Sequence, residues 1–114
     1  MKPKFCSDLE QSKKLKEILP IESADMHYAK VINGFDQSKD WVYEIQLCAP
    51  SEKNHIPAWS LAALLDYLSA NFRIDIKYLD NYLELDCRVQ VTYNKELIDA
   101  CVEMIIKLKD KKLL

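Results

Sequence analysis

The sequence predicts a single α+β domain with elements in the order α-β-β-α-β-β-α, an antiparallel sheet of about four strands with helices packed on one face. Three observations carry this. Residues 26–48 and 72–93 alternate apolar and polar side chains with a period of two, while three other segments repeat apolar residues at helical spacing. The two patterns take turns along the chain, and helix–hairpin alternation favours antiparallel pairing. Finally, 114 residues, 49% of them apolar, suit one domain with one core. The domain is taken as residues 1–114, with 1–6 a loose leader and 110–114 a frayed end.

Ser7-Asp8-Leu9-Glu10 reads as a capping box opening a helix over 7–19, with Leu15, Ile18 and Leu19 on its apolar side. Pro20 ends it, since proline lacks an N–H and disfavours α geometry just before itself. Met26 to Ile32 and Trp41 to Cys48 read as strands. Asn33-Gly34 supplies a turn signal between them, and Asp36 to Asp40 lengthen the tip. Pro50 to Pro57 reads as a loop. Leu61, Leu64, Leu65, Leu68 and Phe72 then mark a helix over about 58–70, started by Pro57 or capped by Ser60.

The segment 72–93 is the most informative. With Asp80-Asn81 as a two-residue turn, Tyr78 faces Leu83, Ile76 faces Leu85, Ile74 faces Cys87 and Phe72 faces Val89, so every inward residue meets another. A slip of one would set charges against the core. On the outer face this register sets Asp75 against Asp86 and Arg73 against Arg88. Asn94 caps the last helix, whose face carries Leu97, Ile98, Cys101, Val102, Ile105 and Leu108.

The lone glycine, Gly34, rules out glycine-rich nucleotide and phosphate loops, which need several residues at positive φ. HExxH, CxxC, GxSxG and EF-hand strings are absent as well. A net charge of −2 gives no general pull toward polyanions, which argues against nucleic acid as a partner. The lysines around positions 13–16 and 107–112 read as solvated helix flanks. No apolar run approaches the roughly 20 residues of a membrane span, and the first residues lack the apolar stretch of a secretory signal. A cytoplasmic protein with four free thiols is expected, and the cysteine spacings match no metal site.

Three constellations remain. Asp75 facing Asp86, near Glu84, is the arrangement that binds a divalent cation or shares a proton, though a checkerboard of exposed ion pairs explains the same residues. His27, His55 and Cys48 supply the only imidazoles and an exposed thiol, the raw material of a nucleophile–base pair. Trp59 lies out of step with its helix; it either caps the core or stands as an aromatic anchor, with His55, Tyr28 and Trp41 clustered around it.

The strings Glu10-Gln11-Ser12-Lys13-Lys14-Leu15, Ser23-Ala24-Asp25-Met26 and above all Ile56-Pro57-Ala58-Trp59-Ser60-Leu61-Ala62-Ala63-Leu64-Leu65 resemble a family of small uncharacterised proteins of gut Bacteroidales genomes and their phages. The similarity extends through Asp99-Ala100 and Met104 to Leu108. The family commonly ends in a Trp-bearing helix and a Gly-Tyr-type tail, from which Leu108 to Leu114 depart. The resemblance implies no activity, only a phage or mobile-element setting.

The sequence thus points to a non-catalytic protein–protein interaction module with an unidentified protein partner. A homodimer through free sheet edges is one form it suggests. No membrane partner, cofactor, metal ligand or catalytic residue is assigned. Binding is assigned to Trp59, His55, Tyr28 and Trp41, and the alternative is a small ligand-binding domain or enzyme using the His27/Cys48/His55 region.

Overall fold

The computed structural model describes residues 4–32, 41–52 and 54–114, with the side chains of Ile32, Trp41 and Val42 also outside that description. The Asn33-Gly34 turn and the polar tip after it lie outside the described residues. The element order is α1 (Leu9–Lys16), a short 3-10 turn (Ile21–Ser23), β1 (Met26–Ile32), β2 (Trp41–Gln46), β3 (Ile56–Ala58), α2 (Leu61–Asn71), β4 (Asp75–Tyr78), β5 (Leu83–Asp86), β6 (Val91–Asn94) and α3 (Leu97–Asp110). The fold is α+β with three helices, but the strands form two antiparallel three-stranded sheets, β2-β1-β3 and β4-β5-β6, where one sheet of about four was expected.

Two features split the sheet. Ile56-Pro57-Ala58, expected as loop and helix start, pairs antiparallel with Met26 to Tyr28 and is wholly buried. Pro57 therefore does not open a helix. Ser60 caps α2, its hydroxyl accepting from the Ala63 N–H at 3.2 Å. The second feature is a reversal at Arg88-Val89, closed by the Cys87 N–H donating to the Gln90 carbonyl at 3.0 Å. It divides the single strand expected over 83–93 into β5 and β6.

That turn also inverts the expected parity. Leu83, Leu85 and Cys87 point into the core as read, but their opposite numbers are Asn94, Thr92 and Gln90. Thr92 is buried, while Tyr93 and Val89 are exposed. The Ile74/Cys87 and Phe72/Val89 pairings are lost with it, because β4 pairs with β5 only over Asp75 to Tyr78. Tyr78 faces Leu83, Ile76 faces Leu85 and Asp75 faces Asp86 as expected, and Leu79 and Tyr82 close the Asp80-Asn81 turn. Yet Ile76 and Tyr78 are exposed on this edge strand of the sheet.

The core is centred on α3, which packs against α1, α2, β5 and β6. Ile98, Ala100, Cys101, Val102, Met104, Ile105 and Leu108 are all buried along it. Its N-cap is Glu96 rather than Asn94, whose side chain instead accepts from the Glu96 N–H at 3.2 Å at the end of β6. Its C-terminus closes in a Schellman arrangement. Lys112 takes φ 60°, its N–H donates to Lys109, and Leu113 donates to Leu108. The expected frayed end is thus hydrogen-bonded.

At the other terminus the capping box falls one residue later than expected, on Asp8 and Gln11. The reason is that Ser7 is engaged elsewhere. Its N–H donates to the Trp59 carbonyl at 2.9 Å, its hydroxyl accepts from the Trp59 N–H at 3.1 Å, and it also bonds the Ser12 hydroxyl at 2.8 Å. Cys6 pairs as an isolated bridge with Ser60, and Lys4 reaches both Asp8 and Asp99. From Lys4 onward the segment read as a loose leader is tied to the body.

Candidate functional site

Of the residues singled out in sequence, His27, His55 and Cys48 come together. β1 aims His27 to the face shared with Gln46 and Pro57, since directly opposite residues of an antiparallel pair point the same way. His55 precedes β3 and its ring stacks on that of His27, centroids 4.1 Å apart and planes within 10°. The His27 Nδ1 lies 2.8 Å from the Cys48 carbonyl, which only accepts, so Nδ1 is the donor. The His55 Nδ1 accepts from the Ser51 N–H at 3.4 Å, and its Nε2 faces Glu52 at 3.6 Å. The contact from Cys48 is its main-chain carbonyl, with the residue itself exposed. This geometry is that of a braced loop: each ring fixes the path of the chain between β2 and β3.

The four residues assigned to binding do not converge. Trp59 is fully buried, its indole N–H donating to the Ser23 hydroxyl at 2.9 Å, so it takes the core role and not that of a surface anchor. Tyr28 follows His27 directly and points to the other side of the sheet. There its phenol donates to the Ser7 carbonyl at 2.9 Å. Burial first, then the neighbouring Cys6, holds that phenol well above its ordinary pKa. Trp41 pairs with Ile32, roughly 16 Å along β1 from His27 at ~3.3 Å per residue; its side chain lies outside the described residues.

Between α1 and α3 runs a groove of about 540 Å³ with Lys4, Gln11, Lys14, Asp99, Glu103 and Lys107 among its lining. Its Asp99 carboxylate is already engaged, by Lys4 at 2.6 Å and by the Gln11 amide at 2.8 Å. Lys4, Lys14 and Lys107 face Asp8, Asp99, Glu103 and Asp110 along the groove, so acid and base largely offset each other and leave at most one net negative charge to select a ligand.

The second sheet is different. Tyr78, Tyr82, Tyr93, Val89 and Ile76 are all exposed on this one sheet and its turns. Tyr82 and Tyr93 meet edge to face, centroids 5.9 Å apart. Glu84, opposite Tyr93 in the β5–β6 register, holds the Tyr93 phenol above its ordinary pKa through a hydrogen bond and its charge. The period-two alternation over 72–93 carries Tyr93 to the same face as Val89 and Cys87; the turn at Arg88 reverses that parity, and no glycine, asparagine or proline marks it.

Among the described residues no group of three or more His, Cys, Asp or Glu side chains is placed to hold a metal ion. Nor is any helix among them long and apolar enough to cross a membrane. Comparisons with protein-family models, curated proteins and solved structures give no match.

Proposed function

We propose that the chain is a small, non-catalytic protein–protein interaction module, operating in the phage or mobile-element setting its sequence resemblance implies. The observation that carries this reading is the outer face of β4-β5-β6, where Tyr82 and Tyr93 stand exposed beside Glu84 and Asp86. Tyrosine is enriched at binding hot spots because it presents a rigid amphipathic surface at small entropic cost. Paired with carboxylates, the rings favour a partner surface presenting an arginine, which stacks on an aromatic face while its fork meets an acid.

The experiment is affinity capture from a host extract with the wild-type chain and with Tyr82→Ala/Tyr93→Ala, both exposed positions. A stoichiometric protein held by the wild type and released by the double variant, and more weakly held as salt rises, supports the reading. A protein retained equally by both chains refutes the assigned face, and a bound metabolite in place of a protein refutes the module itself.

The alternative, a ligand-binding or catalytic role for the His27/Cys48/His55 region, has the stacked imidazoles in its favour. It requires the Cys48 thiol to act beside them. Alkylation of Cys48 that is unchanged by His27→Gln and His55→Gln counts against it.

A further inference from the structure

We propose that β4 is a self-association edge, and that two copies of the chain pair antiparallel through it about a two-fold axis at Ile76, giving a continuous six-stranded sheet. The inference rests on the edge alone and stands whether or not the tyrosine face binds a partner.

β4 ends its sheet, and all four of its residues are exposed. Which of its backbone groups are free follows from the hairpin. The Leu79 N–H donates to the Tyr82 carbonyl at 2.8 Å, so residues 79 and 82 form a hydrogen-bonded pair. Antiparallel ladders alternate such pairs with non-bonded ones. Residues 77 and 75 therefore also turn their polar groups toward β5, opposite Glu84 and Asp86. The even positions, Ile74, Ile76 and Tyr78, turn theirs to the open edge.

A second β4 must match even positions with even ones, which leaves three nearby two-fold registers. Centring on residue 75 sets Asp75 against Asp75. Centring on 77 sets Lys77 against Lys77. Only centring on Ile76 sets Asp75 against Lys77, and it does so twice by symmetry. Like charges directly opposite are destabilising and unlike charges stabilising, so charge selects this register. On the other face it brings Ile76 onto Ile76 and Ile74 onto Tyr78, joining apolar side chains of which Ile76 and Tyr78 are exposed in the single chain.

Asp75 adds a further reason. Within the chain it faces Asp86, a like-charged neighbour, while its other side is open. A partner's lysine on the open side offsets that repulsion. Asp75 is thus better accommodated in the pair than alone.

The test uses the full chain carrying Cys48→Ser, so that the exposed thiol does not cross-link. Sedimentation equilibrium from about 10 µM to 1 mM brackets the weak affinity a short edge supports. A monomer–dimer equilibrium is expected. Asp75→Lys and Lys77→Asp should each weaken it by roughly tenfold or more, and the double exchange should restore it. Ile76→Cys, on the axis, should oxidise to a cross-linked dimer while Asp75→Cys does not; paired residues at ~5.5 Å between Cα atoms lie within disulfide reach. Asp75→Lys faces Asp86 favourably within the chain, so lost association there is not lost folding. A monomer throughout that range, a dimer indifferent to both single charge changes, or cross-linking equal at positions 75 and 76 would overturn the proposal.

Discussion

Replacing Ser7 by alanine should destabilise the protein more than any helix-cap change can. Ser7 is completely buried, and its hydroxyl does two things: it accepts from the Trp59 N–H at 3.1 Å and bonds the Ser12 hydroxyl at 2.8 Å. Alanine keeps the Cβ and opens almost no cavity. The cost therefore comes from polar groups left without partners. A buried amide stripped of its acceptor costs ~1–3 kcal/mol and the lost hydroxyl pair about 1 kcal/mol more. The Ser12 hydroxyl keeps only the longer contact to the Ser7 carbonyl at 3.5 Å. The sum is about 2–4 kcal/mol, or a fall in Tm of roughly 8–16 °C for a chain of this size.

Asp8→Ala is the internal control. Asp8 is the N-cap of α1, and its removal should cost about 1 kcal/mol with little extra for its exposed pairing with Lys4. Urea unfolding of both variants, with unchanged m-values, gives the comparison. If Ser7 were the cap, as the motif alone suggests, the order of the two costs would invert. Ser7→Ala costing no more than Asp8→Ala would therefore refute the buried-amide reasoning. Ser12→Ala in the same background should cost about 1 kcal/mol less than it does alone, because the bond it would break is already gone.

Three further outcomes follow from the same structure. Lys112→Gly should stabilise by about 1 kcal/mol, because Lys112 holds φ 60° at the end of α3 where glycine carries no Cβ penalty; thermal denaturation reads the gain, and a loss would contradict the Schellman geometry. Burial tends to raise the Asp8 carboxyl, but the Gln11 N–H and the Lys4 ammonium outweigh it and hold its pKa below the ordinary value. Its contribution is then complete above the unfolded value near pH ~4 and lost as pH falls through the lower folded one. Asp8→Asn should flatten the acid limb of the stability–pH curve, and an unaltered limb would exclude this pairing. In the native state a maleimide should label Cys48 quickly and leave Cys6, Cys87 and Cys101 untouched, since these are buried and burial pushes the Cys101 thiol up to about 12; mass spectrometry of the labelled peptides gives the answer.

Much of the fold was legible where one physical signal acted alone. The apolar spacing of α3 and the alternation flanking Asp80-Asn81 located a helix and a hairpin, including the Asp75/Asp86 pairing. Legibility failed where tertiary partners overrode local pattern. Ile56-Pro57-Ala58 carries proline, a residue confined to edges in sheets, and it forms the edge of its sheet through pairing with a distant strand. Arg88 turns the chain at φ 76° with no glycine, asparagine or proline to announce it; the Asp86 carboxylate steadies the turn, accepting from the Arg88 N–H at 2.7 Å. That reversal flips the parity of the strand after it, so Thr92 is buried and Tyr93 exposed, against the alternation that runs through 72–93. The His27–His55 stack was not readable at all, because two isolated imidazoles in a sequence carry no geometry.

The polar knot at Ser7 explains how two sheets that share no strand remain one body. Ser7 receives the Tyr28 phenol from the first sheet at its carbonyl, bonds Trp59 at the mouth of α2, and holds Ser12 on α1. Trp59 in turn reaches Ser23, and Ser60 binds the Asp25 carboxylate through both its N–H and its hydroxyl. An apolar joint of the same size would tolerate sliding, since hydrophobic contact is not directional. Buried hydrogen bonds are directional and costly to leave unmade, so they fix a single orientation. The first sheet is thereby set at a defined angle to the helical core, while the second sheet, packed on α3 through β5 and β6, carries Tyr78, Tyr82 and Tyr93 and the open β4 edge. The buried polar joint and the exposed tyrosines of the second sheet thus lie on separate elements, and substitutions at β4 leave the joint at Ser7 intact.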